Sequence, residues 1–277
     1  MATRWWSKDT VAVVTGSNKG IGFEIVRGLA KNGVTTVLTA RDNGRGQAAA
    51  DSLKAQGLNS VIFHQLDVTS AESIDNLAVW LKEKFGGLDI LVNNAGVYLS
   101  GGTYEGAKAT LDINYYGVKS LTDKLLPILR PGARVVTISS ALGRLSFVGD
   151  SLAKILGDEK ILSEDLVDSY AKKYLDDVQA GRWKEEGWST TYPQYADSKV
   201  LLNAYTRAFA KTLSKRPEDQ KIFVNVVHPG YIGTDLNNNA GTGTPEEGAD
   251  TAVWLSLLPE KNYPQGAFFF KREPYAW

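Results

Sequence analysis

The chain of 277 residues contains no cysteine. Disulfides, thiol nucleophiles and thiolate metal sites are therefore excluded, and the composition fits a reducing, cytoplasmic setting. Histidine is almost as scarce. With only His64 and His228 present, no histidine-rich metal centre is expected. Neither sign of charge is in excess, because 31 Lys and Arg balance 31 Asp and Glu. That balance gives no electrostatic reason to expect nucleic acid or an anionic membrane as a partner. No run of 18 apolar residues occurs, so no membrane-spanning helix is expected. The first strand-like run begins near residue 11, which leaves no room before it for a signal or transit peptide.

What is present is 43% hydrophobic and 22% charged, enough to bury one large α/β core. Strand-like runs lie at 11–15, which is β-branched and apolar, and at 35–39, 60–65, 89–92, 133–138, 222–227 and 267–270. Helical patterns lie between them, one after residue 20 and others around 43–56, 70–84, 104–130, 192–214 and 245–258. The alternation predicts a single Rossmann-like domain over 1–277: a doubly wound parallel sheet with helices on both faces and ligands at its carboxyl edge. The stretch from about 145 to 190 breaks the alternation. It is rich in charge, carries helix-like pieces at 151–156 and 163–179, and reads as a helical insertion. Ser163 is the expected N-cap of the second piece, with Leu166, Tyr170 and Tyr174 on one face. Trp5 and Trp6 are expected to cap the sheet.

The first strand runs into Gly16-Ser17-Asn18-Lys19-Gly20-Ile21-Gly22, and an amphipathic segment follows. Strand, glycine turn and helix in that order open a dinucleotide site. The glycines let backbone amides approach a pyrophosphate, and the helix N-terminus favours its charge. The second strand ends in Arg41-Asp42 rather than in a lone acidic residue. Arg41 can pair with a 2′-phosphate. Lys19 can reach the same phosphate, and Arg45 is a further candidate, so NADP(H) is favoured over NAD. Asp42 keeps an approach to the ribose open.

Tyr195 and Lys199 stand four residues apart on an expected helix, which puts both on one face. A nearby cation favours an ionised phenol, and such a tyrosine can exchange a proton with a substrate oxygen.

With these motifs in register, the chain resembles the short-chain dehydrogenase/reductase family over nearly its whole length. The likeness is carried by residues 15–22, by Leu66-Asp67-Val68-Thr69, by Asn93-Asn94-Ala95-Gly96, and by Asn114-Tyr115-Tyr116-Gly117. It continues through Ile138-Ser139-Ser140, Tyr195 with Lys199, and Pro229-Gly230 with Thr234. Within the family it is similar to single-chain carbonyl reductases and their plant relatives of the neomenthol dehydrogenase and salutaridine reductase type. Asn114, Ser140, Tyr195 and Lys199 match the catalytic set. The resemblance assigns the cofactor to Gly16, Ser17, Asn18, Lys19, Gly20, Ile21, Gly22, Arg41, Arg45, Asp67, Val68, Asn94, Ala95, Gly96, Tyr195, Lys199, Pro229, Gly230, Ile232 and Thr234. It implies that Asn114 holds a water linking Lys199 to solvent. It selects Ser140, although strand geometry alone leaves Ser139 open. Fifty-five residues separate Ser140 from Tyr195, and in the similar branch an insertion here covers the assembly surface, which implies a monomer.

The substrate side is expected at Val97, Tyr98, Leu142, Trp188, Tyr192 and Tyr231, with Ile232 beside them. These are apolar or aromatic and suit a neutral hydrophobic ketone or aldehyde, such as a terpenoid, alkaloid or lipid-derived carbonyl. Trp183 and Trp188 read equally as a lid or as anchors of the insertion. His64 and His228 read as packing residues. The expected activity is NADPH-dependent carbonyl reduction with Tyr195 as acid. Reduction of an enone double bond is the second reading, and a non-catalytic NADP-binding sensor or scaffold is the third.

Overall fold

The computed structural model describes residues 4–99, 101–259 and 263–277. Among them, helices and strands alternate from the start: β1 (Val11–Val14), α1 (Gly20–Lys31), β2 (Thr35–Ala40), α2 (Asn43–Ala55), β3 (Val61–Gln65), α3 (Ala71–Phe85) and β4 (Leu88–Asn93). The second half continues with α4 (Tyr104–Leu111), α5 (Val118–Leu125), β5 (Leu129–Ile138), α6 (Asp150–Gly157), α7 (Glu164–Gln179) and α8 (Tyr195–Leu213). It closes with β6 (Phe223–Val227), α9 (Pro245–Leu257), β7 (Phe268–Phe270) and β8 (Glu273–Pro274).

The strands form one sheet in the order β3-β2-β1-β4-β5-β6-β7-β8. Every pairing is parallel except β7 with the short final strand, which the apolar pattern had not signalled. Alternation along β1 explains why both faces are covered. Val11 and Val13 point into one apolar core with α3, α5 and α8, while Ala12 and Val14 point into the other with α1, α2 and α9. Chain order reverses on either side of β1, whose neighbours are β2 and β4. A crevice opens at such a switch point, beyond the carboxyl ends of the strands.

Local chemistry sets the helix ends. Ser70 caps α3 by accepting from Ser73 N, and Gly86 ends that helix in the left-handed region at φ 72°. Ser163 caps α7 as expected. Of its expected face Tyr174 goes inward, beside Val167 and Ala171, while Leu166 and Tyr170 are only half-buried. The long helix expected over 104–130 is interrupted. Residues Asp112–Gly117 form one π-helical turn between α4 and α5, and the helical run ends before β5.

The insertion packs on the domain through α7, which lies against α4 and α8. Its anchor is Trp188. The indole is 2% exposed, meets Tyr174 at 4.9 Å, and donates from Nε1 to Asp177 at 2.8 Å. Trp183 packs half-buried on the same core. At the other end of the domain, Trp5 lies under the Arg134 guanidinium at 3.5 Å and with Trp6 covers the core of α1, α2 and α9. Among the described residues no helix is long and apolar enough to cross a membrane.

Candidate active site

A cleft of about 900 Å³ opens along the carboxyl ends of the strands. The glycine turn forms one end of it. Gly16 has φ 58°, and a Cβ there would lie 2.9 Å from Ala95 Cα, so the turn can press against residues 94–95 only as glycine. Asn94 completes the clamp by donating from its amide to Thr15 O and Gly16 O. The Thr15 hydroxyl accepts from the backbone N–H groups of Asn94 and Ala95. This leaves a bare backbone cradle at the start of α1, the arrangement that suits a pyrophosphate.

Of the residues expected at the cofactor, Gly16, Asn18, Lys19, Gly20, Ile21, Gly22, Arg41, Asp67, Val68, Asn94, Ala95, Gly96, Pro229, Gly230, Ile232 and Thr234 all line the cleft. Two do not. The Ser17 side chain is fully buried and turned inward, with its hydroxyl donating to Val14 O at 2.7 Å and accepting from Thr39 N. It ties β1 to β2. Arg45 lies beside the cleft, in a shallow depression with Lys19 and Phe23. Asp42 has a structural partner. Its carboxylate is the N-cap of α2 and accepts from Arg45 N at 2.8 Å. Arg41 is exposed at the cleft wall, and among the described residues it has no ion-pair partner. Lys19 does have one, because its ammonium lies 2.6 Å from Asp235.

The reacting end is built from β5 and α8. Tyr195 begins α8 and Lys199 follows one turn later. A hydrogen bond joins the Tyr195 and Ser140 side chains. Ser140 leaves β5 extended, and its hydroxyl also accepts from Leu142 N at 3.2 Å. The Ser139 hydroxyl stays buried with no hydrogen-bond partner among the described residues, and it is Ser140 whose side chain meets the phenol. Lys199 is buried and donates to Ile138 O at 3.2 Å, with its Nζ 5.6 Å from the Tyr195 ring centre.

The expected acidification of Tyr195 does not appear in this arrangement. Burial pushes the phenol up to about 12, and the Ser140 bond pulls it back only in part. The ammonium bonds a backbone carbonyl instead of the phenol, so its field does not offset desolvation. Burial pushes Lys199 down to about 8.

Asn114 sits in the π-helical turn, fully buried and outside the cleft lining. Its Oδ1 accepts from Val97 N at 2.8 Å, and its amide donates to Val97 O and to Ser198 Oγ, each at 3.0 Å. Both amide protons are thus spent on protein partners. The side chain clamps the cleft wall to α8 rather than presenting a free amide for water. Gly96 keeps the nearby space open: a Cβ there would be 3.3 Å from Asn114 Oδ1 and 3.7 Å from Lys199 Nζ.

The substrate side is aromatic. Val97, Tyr98, Leu142, Tyr192 and Tyr231 line it, and Tyr98 meets Tyr195 edge-on at 5.5 Å. Trp188 is absent from the lining because it is committed to Tyr174 and Asp177 in the core of the insertion. The wall formed by 235–240 was not foreseen. Its signal is the run Asn237-Asn238-Asn239, whose last two residues take positive φ, a conformation asparagine tolerates. His228 stacks on Phe270 at 4.7 Å, and its Nδ1 accepts from Gly230 N. Burial, aided by Arg144, pushes its pKa down to about 4, so the ring is a neutral brace for the Pro229-Gly230 turn.

The short chain dehydrogenase family model matches residues 10–152. The chain belongs to the short-chain dehydrogenase/reductase family. It is 41% identical to (+)-neomenthol dehydrogenase of Arabidopsis thaliana over 95% of this chain and 96% of that protein. It is 38% identical to carbonyl reductase (NADPH) 1 of Bos taurus, over 98% and 99%. The solved structure of salutaridine reductase from Papaver somniferum superposes with a TM-score of 0.87 at 38% identity, covering 95% of this chain and 99% of that one.

Proposed function

We propose that this short-chain dehydrogenase/reductase reduces a neutral, hydrophobic ketone or aldehyde to the alcohol, with NADPH as reductant and Tyr195 as general acid. The observation that carries the reading is the bond between the Tyr195 and Ser140 side chains at the floor of an aromatic cleft. A carbonyl oxygen placed there meets two hydroxyl donors at once.

The cradle at Gly16–Gly22 fits a pyrophosphate, and Arg41, exposed and without an ion-pair partner among the described residues, fits a 2′-phosphate. When bound, NADPH supplies a hydride to the carbonyl carbon and leaves as NADP⁺. Tyr195 gives its proton to the oxygen, and Ser140 donates a hydrogen bond that stabilises the charge developing there. A phenol held protonated by burial stays a loaded acid at neutral pH. Lys199, charged below about pH 8, supplies positive potential beneath it. Asn114 holds Val97 and Ser198 in place around both. Positioned acid catalysis of this kind contributes roughly 100- to 10,000-fold.

The cleft mouth favours an apolar substrate, because Tyr192, Tyr231 and Leu236 line it and are exposed. An intact Tyr195–Ser140 pair favours carbonyl reduction over reduction of an enone double bond or cofactor binding without turnover. We also read the chain as a monomer, since α7 covers α4 and α8.

The test is purified protein with NADPH and a panel of hydrophobic ketones, aldehydes and enones. Alcohol products are expected. A saturated ketone from an enone supports double-bond reduction instead, and binding without NADPH consumption supports a sensor. Tyr195→Phe is expected to lose turnover by about 100-fold or more while retaining NADPH. Light scattering is expected to give the monomer mass of 30.2 kDa.

A further inference from the structure

Tyr195 is preceded by backbone that a helix start does not need. Gln194 has φ 69° and ψ −56°, and Tyr195 N donates to Pro193 O at 2.9 Å. A bond from residue i+2 back to residue i around a positive-φ centre is the strained form of the γ-turn. Tyr192, two residues earlier, also has positive φ, 53°. Non-glycine residues in such wells are costly and persist only where the surroundings enforce them.

The Gln194 side chain supplies part of that enforcement, and its backbone N–H also bonds the buried Asp197 carboxylate. It is 1% exposed, and its Nε2 donates to Thr103 O at 3.0 Å. Thr103 is the N-cap of α4. A Cβ added to Gly106, in the first turn of α4, would lie 3.1 Å from the same Nε2, so the amide is wedged against that turn. Its Oε1 is buried with no hydrogen-bond partner among the described residues. Glutamine also gives this helix no cap bond, whereas Ser, Thr, Asp or Asn would. A residue that strains the backbone, whose side chain caps nothing and leaves an acceptor unpaired, is poorly chosen for stability alone.

We infer that Gln194 is a positioning residue for the acid: its amide latches the strained turn to the Thr103 carbonyl and so fixes the phenol of Tyr195 beside Ser140. The inference rests on Tyr195 being the acid. The latch ties the start of α8 to the start of α4, across the cleft wall that carries Tyr98. A displacement of about 1 Å at a reacting group can cost on the order of 100-fold, so a hinge one residue before the acid has leverage that a distant contact lacks.

The experiment uses the full chain, a ketone from the panel and three variants. Gln194→Gly removes the amide and relieves the φ. Gln194→Met keeps the volume and removes the donor. Gly106→Ala leaves Gln194 in place and crowds its amide from the α4 side. In both Gln194 variants kcat is expected to fall roughly 10- to 100-fold. The substrate KM and the NADPH dissociation constant should stay within about twofold, the pattern of a group that acts only in the transition state. The alkaline inflection of the kcat–pH profile, which Lys199 sets, should move, because a displaced phenol changes the surroundings of that buried ammonium. Gly106→Ala should change the same quantities in the same direction by less. A purely structural role would lower Tm and leave kcat and the inflection at their wild-type values, and that result overturns the inference. Tyr195→Phe is run beside them. If it keeps turnover, the reading of Tyr195 as acid has failed. If it is inactive while the Gln194 variants retain wild-type kcat and inflection, only the latch has failed.

Discussion

Lys19 and Asp235 form an ion pair across the mouth of the cleft, with Nζ 2.6 Å from Oδ2. One comes from the glycine turn after β1 and the other from the wall after β6. Lys19 holds the Asp235 carboxyl below its usual range. For Lys19 to reach a 2′-phosphate it must let go of Asp235. The pair is solvent-exposed, so the competition is modest and sensitive to salt. Asp235→Asn should tighten NADPH by about two- to fivefold at low ionic strength, leave NADH nearly unchanged, and lose its effect as salt is raised. Titrations of both cofactors against salt check this, and an equal gain for NADH would remove Lys19 from the phosphate.

The two ionisable groups at the reacting end set a pH profile. Lys199 titrates near about 8 and Tyr195 near about 12. Below about pH 8, then, the ammonium is charged and the phenol holds its proton, the combination that carbonyl reduction requires. Reduction should be level around neutrality and fall as pH rises through about 8. Alcohol oxidation needs the phenolate and should rise with pH. Initial rates in both directions from about pH 6 to about pH 10 test it. A reduction rate that climbs across the upper half of that range would contradict the assignment.

Trp188 is a load on the insertion and not on the substrate. Trp188→Ala removes a buried indole and should cost about 3–5 kcal/mol, read as a lower Tm, while kcat for a small ketone is retained. Trp188→Phe should recover part of the loss, since Asp177 keeps its ion pairs with Lys173 and Arg182. A change in substrate preference with no change in Tm would place the indole in the cleft instead.

Asp197 falls between Tyr195 and Lys199 in the sequence but turns to the insertion, where it is buried and accepts from Ser189 N at 2.8 Å. Burial raises its pKa from 3.8 to about 7. A carboxyl raised in the folded state contributes stability that is complete below its unfolded value and lost as pH rises through the folded value. The Tm of the protein should therefore contain a component that declines from about pH 4 to about pH 7. Asp197→Asn should remove that component and raise Tm most above pH 7. Thermal melts across this range check the sign, and an unchanged slope would show that the carboxyl does not titrate there.

Much of this was legible in the sequence, and the reasons are physical. Strand boundaries fell within a residue or two for β1, β2 and β6, because buried parallel strands are written as short runs rich in β-branched residues. The glycine turn, Arg41 and the Tyr195–Lys199 spacing were visible because each is a local pattern. What escaped depended on partners far away in the chain. Ser17 looked like a cofactor contact, but its hydroxyl is consumed by Val14 and Thr39. Asn114 is marked by its motif, but the sequence does not show that Val97 and Ser198 take both its amide protons. The π-helical turn around it follows no sequence period. Lys199 looked like the force that acidifies Tyr195, yet spacing on a helix says nothing about which carbonyl the ammonium chooses or how dry the phenol is. Gln194 leaves no mark in the sequence because no propensity signals a glutamine held at positive φ.

Tyr192 stands 54% exposed at the entrance to the cleft, in a chain that has no thiol of its own. Tyr192→Cys would therefore create a unique attachment point for a maleimide dye, with no background labelling to subtract. Its emission would report arrival and departure of molecules at the entrance in real time, even for ligands that undergo no chemistry.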